Sequence, residues 1–92
     1  MKHEVHFEKV KSKLRKLLIH ILRNLQIWAE QVEMIGLSEV RKIPGYHDES
    51  LRGKRKGQRS IRLSKSYRAF YITNKDNQLV IVDLIEVNKH EY

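Results

Sequence analysis

Between residues 10 and 35 the apolar side chains recur at steps of four and three: Val10, Leu14, Leu17, Ile21, Leu25, Trp28, Val32 and Ile35. A helix turning every 3.6 residues puts all of them on one face, so this segment must fold as one long helix or as two consecutive helices. Lys and Arg fill the other side through residue 24, and Gly36 is a reasonable stop. A stripe of this length has to be buried against something flat and apolar.

The C-terminal segment supplies that surface. Residues 59–64 alternate, with Ile61 and Leu63 opposite Ser60 and Arg62. Residues 67–73, "YRAFYIT", are aromatic and β-branched, and "LVIVDLIEV", 79–87, is nearly continuous in apolar residues. These are three strands, the last of them central in its sheet. "NKDNQ", 74–78, turns between the last two. Near the N-terminus, residues 3–8, "HEVHFE", put Val5 and Phe7 on one face of a further short strand. The order strand–helix–helix–strand–strand–strand predicts an α+β fold, with two helices on one face of a four-stranded antiparallel sheet. Residues 38–58 hold the only proline, Pro44, and three of the four glycines, and read as a long loop.

Ninety-two residues make one domain, 1–92, with one modest core. There is no cysteine, which excludes a disulfide framework and a thiolate metal site. No apolar run approaches the ~20 residues of a membrane span. The chain therefore reads as a soluble cytoplasmic protein without a membrane partner. Nineteen Lys and Arg against eleven Asp and Glu give a net charge of +8, which calls for a polyanionic partner.

The densest charge lies in 51–68, where Arg52, Lys54, Arg55, Lys56, Arg59, Arg62, Lys65 and Arg68 stand with no acid among them. A solvated basic face explains any one of these residues. Eight together favour a groove for phosphates. Arg62 points away from Ile61 and Leu63, and Arg68 opens the next strand, so two planar guanidinium forks can converge on one anion. Asp48 and Glu49 read as surface ion pairs. His47 with Asp48 and Glu49 matches no common metal-ligand spacing, so neither a metal nor a cofactor is expected. His20 sits at the edge of the helical stripe, and His3 and His6 look structural. His90, directly after the strongest strand, has a pKa suited to proton transfer near pH 7; otherwise it belongs to a frayed end. Tyr92 either stacks on a base or packs against the sheet.

The segments "GYHDESLRGKRKGQRSIRLSKSYRAFY" (45–71), "EVNKHEY" (86–92) and "LIHILRNLQIWAEQVEMIGLSEVRKIPG" (18–45) resemble the RelE superfamily of bacterial toxin–antitoxin toxins, in its RelE/HigB-like branch of mRNA interferases. The resemblance implies an endoribonuclease that enters the ribosomal A site, against rRNA, and cuts the translated mRNA without a metal. The 2′-hydroxyl attacks the adjacent phosphate, leaving a 2′,3′-cyclic phosphate and a 5′-hydroxyl. A cognate antitoxin would neutralise it in a hetero-oligomer. Carried over, Arg68 in "SYR" looks like the phosphate-binding arginine and Arg62 in "SIRL" its partner. Lys54 or Lys56 in "GKRKG" looks like the preceding basic residue, with Arg59, Lys65 and Lys89 as further RNA contacts. His90 matches the terminal histidine expected as general acid or base, and Tyr92 the C-terminal tyrosine of other relatives. Relatives often carry proline where this chain has Leu18, which leaves open whether the helix breaks there. Two other functions compete: a gyrase-poisoning toxin of the same fold, and a nucleic-acid-binding module that has lost catalysis.

Overall fold

The apolar stripe folds as two helices. In the computed structural model, which describes residues 2–89, α1 (Lys11–Leu14) and α2 (Ile19–Ile35) are separated at Leu18. Leu18 is extended, with φ −58° and ψ 144°. That φ is the one a proline ring would have fixed, so the break survives without proline. The Leu18 carbonyl accepts bonds from Ile21 (3.0 Å) and Leu22 (3.1 Å), which starts α2. Gly36 ends α2 with φ 86°, and its amide donates to the Val32 carbonyl at 3.0 Å. A short α3 (Leu37–Val40) follows.

The sheet has five strands, one more than expected: β1 (Lys2–His6), β2 (Glu49–Ser50), β3 (Arg59–Arg62), β4 (Tyr67–Asp76) and β5 (Leu79–Lys89). Their order is β1-β5-β4-β3-β2. The extra strand is β2, two residues within the segment expected to be all loop, paired antiparallel with β3. The sheet is also mixed. β1 runs parallel to β5, from Lys2 opposite Leu79 to His6 opposite Asp83. β5 thus has a neighbour on each side and is an interior strand, as expected. The β4–β5 hairpin is tighter than expected: Asp76 pairs with Leu79, and only Asn77 and Gln78 turn. Asn77 takes a left-handed φ of 57°, which asparagine tolerates.

From α2, Ile21, Leu25, Trp28 and Val32 are buried against Ile61, Ala69, Tyr71, Val82, Leu84 and Val87 of the sheet. The Trp28 and Tyr71 rings meet at 5.4 Å in a tilted pair. At the β1 edge the Val5 amide donates to the Glu33 carboxylate of α2 at 3.1 Å. That bond occupies a donor which an edge strand would otherwise offer to another chain. Among the described residues no helix is long and apolar enough to cross a membrane.

Candidate functional site

Side chains alternate across β3 and β4, so what faces away from the helices follows from register. Ile61 opposes Ala69, and both are fully buried on the helix side. Arg62 therefore opposes Arg68 on the outer side, and Arg68 in turn opposes Asn88 of β5. Ser60, Phe70 and Glu86 form the next row inward. Cβ atoms of directly opposed residues stand about 4.5–5.5 Å apart, close enough for both arginines to reach one anion.

Arg68 is held while Arg62 is not. The Arg68 side chain is 13% exposed. Its Nε and Nη2 donate to the Ser60 hydroxyl at 3.2 and 2.8 Å, and Nη2 also donates to the His47 carbonyl at 3.1 Å. Glu49 Oε1 lies 3.5 Å from Nη2. These contacts fix the guanidinium plane and leave the two N–H groups of Nη1 beyond them. Arg62 is exposed and makes no ion pair among the described residues. Glu49, half exposed, also stands 3.8 Å from His47 Nε2. The expectation of a surface ion pair holds for Glu49, but its partner is the arginine at the centre of the site.

Asp48 corrects the other half of that expectation. Its side chain is 0% exposed. The carboxylate accepts from Arg59 Nε at 2.6 Å and from the Tyr71 hydroxyl at 2.5 Å. Burial, reinforced by the bond to Asp48, pushes the Tyr71 hydroxyl up to about 12. This buried anchor lies between His47 and Glu49 in the chain and so fixes the segment that feeds both to Arg68.

The basic cluster is divided rather than gathered. Arg59 sits one residue out of phase with Ser60 and Arg62, on the side of Tyr71, tied to Asp48. Arg55 lies 4.3 Å over the Phe70 ring and grips Glu86 through two 2.8 Å contacts, covering the inner row. Lys54 and Lys56 flank Arg55, both exposed, Lys54 on the 3₁₀ turn Gly53–Arg55 and Lys56 just after it. Lys65 is exposed in the β3–β4 turn, and Lys89, also exposed, pairs with Tyr67. His90 and Tyr92 lie outside the described residues. No cluster of potential metal ligands occurs among those described. Sequence reasoning missed Glu49 as a partner of Arg68, and also Ser60 and the His47 carbonyl. The alternation that put Arg62 on the outer face put Ser60 there too, and was the available signal for it.

The arrangement can bind a phosphate between two arginines and set a carboxylate beside it. The fold has clear parallels among solved structures. A YoeB/ParE toxin from Agrobacterium tumefaciens is 14% identical, with a TM-score of 0.65, over 99% of this chain and all of that one. The RelBE2 toxin–antitoxin complex from Mycobacterium tuberculosis is 18% identical, with a TM-score of 0.62, over 97% and 96%. The DinJ-YafQ toxin–antitoxin complex from E. coli is 16% identical, with a TM-score of 0.57, over 97% and 91%. Neither a protein-family model nor a curated protein matches the sequence.

Proposed function

The chain has the RelE-superfamily toxin fold, and from that premise we propose that it is a ribosome-dependent mRNA endoribonuclease, the toxin of a toxin–antitoxin pair. The carrying observation is the Arg62–Arg68 pair, in register on the outer face with the Glu49 carboxylate 3.5 Å from Arg68. Arg68, through Nη1, and Arg62 take the non-bridging oxygens of the scissile phosphate. Glu49 accepts the proton of the 2′-hydroxyl, whose oxygen then bonds to phosphorus as the bond to the 5′-oxygen breaks. The leaving oxygen takes its proton from His90, to which the family resemblance gives a general acid or base role, and Tyr92 is the tyrosine the same resemblance assigns to the site. The products are a 2′,3′-cyclic phosphate and a 5′-hydroxyl, and neither metal nor cofactor enters the scheme. Lys54, Lys56, Lys65 and Lys89 contribute charge toward the RNA backbone, and Arg59 acts mainly through Asp48. The substrate is mRNA under translation in the cytoplasm, and the protein partner is a cognate antitoxin.

A carboxylate beside an arginine serves as a base only if the phosphate, on binding, takes over the arginine's free donors. Correctly placed acid–base groups contribute about 10²–10⁴-fold in rate, and loss of one preorganised donor about 10²–10³-fold. The test is induction in a bacterial host of the wild-type chain, Arg68→Ala and Glu49→Gln. The wild type is expected to arrest growth and leave mRNA cut within codons with cyclic phosphate ends. Both variants should lose cleavage while folding normally. Broken DNA with intact mRNA would instead identify a gyrase poison, and unchanged cleavage in Arg68→Ala overturns the site.

A further inference from the structure

A groove of about 280 Å³ opens between α2 and the turn at Pro44–Tyr46. β2 pairs only with Arg59 and Ser60, which leaves the rim of β3 uncovered at Arg62, and Arg62 forms part of the groove wall. Ile27 and Ile43 make the wall apolar, and the half-buried Tyr46 contributes an aromatic ring. Two amides complete it. Asn24 donates through Nδ2 to the Leu63 carbonyl at 2.7 Å, and Gln31 accepts from the Tyr46 hydroxyl through Oε1. These bonds fix both side chains, yet an acceptor on Asn24 and the NH₂ donors of Gln31 lie beyond them.

We propose that this groove is a nucleobase subsite. It takes one unpaired base of single-stranded RNA next to the phosphate held by Arg62 and Arg68, and thereby sets a base preference for cleavage. The inference rests on the nuclease reading, which supplies the RNA. Three observations favour a base over a peptide. The volume falls just short of the usual range for a drug-sized ligand, so it suits one ring system. The wall pairs an aromatic and aliphatic surface with fixed amides, the combination that reads the face and edge of an unstacked base. Arg62 stands on the rim of β3 where the groove meets the outer face, so a strand whose phosphate sits on the arginine pair can turn its base over that rim into the groove.

The experiment uses the full chain and short single-stranded RNA, made uncleavable by 2′-O-methylation, with affinity followed by fluorescence anisotropy. One set varies the base at each position, and another makes that position abasic. Stacking of one base is worth roughly 5- to 150-fold in affinity, so one abasic position should weaken binding by that factor. Tyr46→Ala should erase the difference between base and abasic RNA. Gly45→Leu is the second variant, because a Cβ at Gly45 meets nothing within 4 Å; it should plug the groove with the same result. If binding needs Arg62 and Arg68 but base and abasic RNA bind alike, the subsite is wrong and the nuclease reading stands. If no RNA binds through those arginines, both fail. If only an acidic peptide perturbs the NMR signals of Ile27 and Tyr46, the groove is a protein-docking site and the proposal is overturned.

Discussion

Asp48→Ala is the substitution in which stability and function should fail together. The wild-type carboxylate is wholly buried and takes two bonds, from Arg59 at 2.6 Å and from the Tyr71 hydroxyl at 2.5 Å. Alanine removes both acceptors at once. The Tyr71 hydroxyl proton then loses its acceptor while buried, which costs about 1–3 kcal/mol even though Arg41 still bonds the oxygen. Breaking a buried ion pair by deleting one partner costs about 3–5 kcal/mol, but Arg59 is 28% exposed and can recover part of that by turning toward water. The two effects overlap, so the net loss should be about 3–4 kcal/mol. In a domain this small, total stability sits at the low end of about 5–15 kcal/mol, so the variant would keep well under half of it. Urea unfolding followed through Trp28 is the suitable assay, since the only tryptophan packs 5.4 Å from Tyr71. Asp48→Asn, which keeps one acceptor, should fall between wild type and Asp48→Ala. A loss below about 1 kcal/mol in Asp48→Ala would refute the anchor, because an acceptor that costs so little to remove was not satisfying buried donors.

Three more expectations follow from the same geometry. Arg62→Ala should reduce the dependence of log affinity for single-stranded RNA on log salt by about 0.7, as expected for one lost phosphate contact, and an unchanged slope removes Arg62 from the backbone path. Because the Tyr71 hydroxyl is raised to about 12, the folded chain keeps a proton that the unfolded chain releases near pH 10; its stabilisation is complete below that pH and is lost as pH climbs toward 12. Urea midpoints across that range should therefore fall more steeply in the wild type than in Tyr71→Phe. Gly36→Ala should cost about 1–3 kcal/mol, since φ 86° is a glycine conformation and the new methyl would press on the His3 ring at 3.3 Å; thermal melting will show it.

Periodicity made the helical stripe and the strands β3, β4 and β5 readable, because each must bury one face and the spacing of apolar residues records which. It also put Arg62 on the outer face, and the register with Arg68 follows from a short hairpin. The two-residue β2 could not be read: an edge strand of Glu49 and Ser50 buries nothing and leaves no pattern. Asp48 was invisible for the opposite reason. An acid in a charged loop looks solvated until a buried tyrosine from β4 and an arginine from β3 are seen to close over it. The roles of Arg55 and Arg59 depended on which acids lay across the sheet, and local sequence carries no record of that. Leu18 shows a third case, where a backbone break forms at a residue type that does not mark one.

The parallel pairing of β1 with β5 ties residues 2–6 to a strand more than seventy residues later in the chain. A nascent chain emerging from its own ribosome has no partner for its first strand, and α2 has no finished sheet to lie on, until residues 79–89 are free. Contacts so distant in sequence also form slowly. The domain therefore cannot close from its first half alone: its sheet is complete only when residues 79–89 have joined residues 2–6.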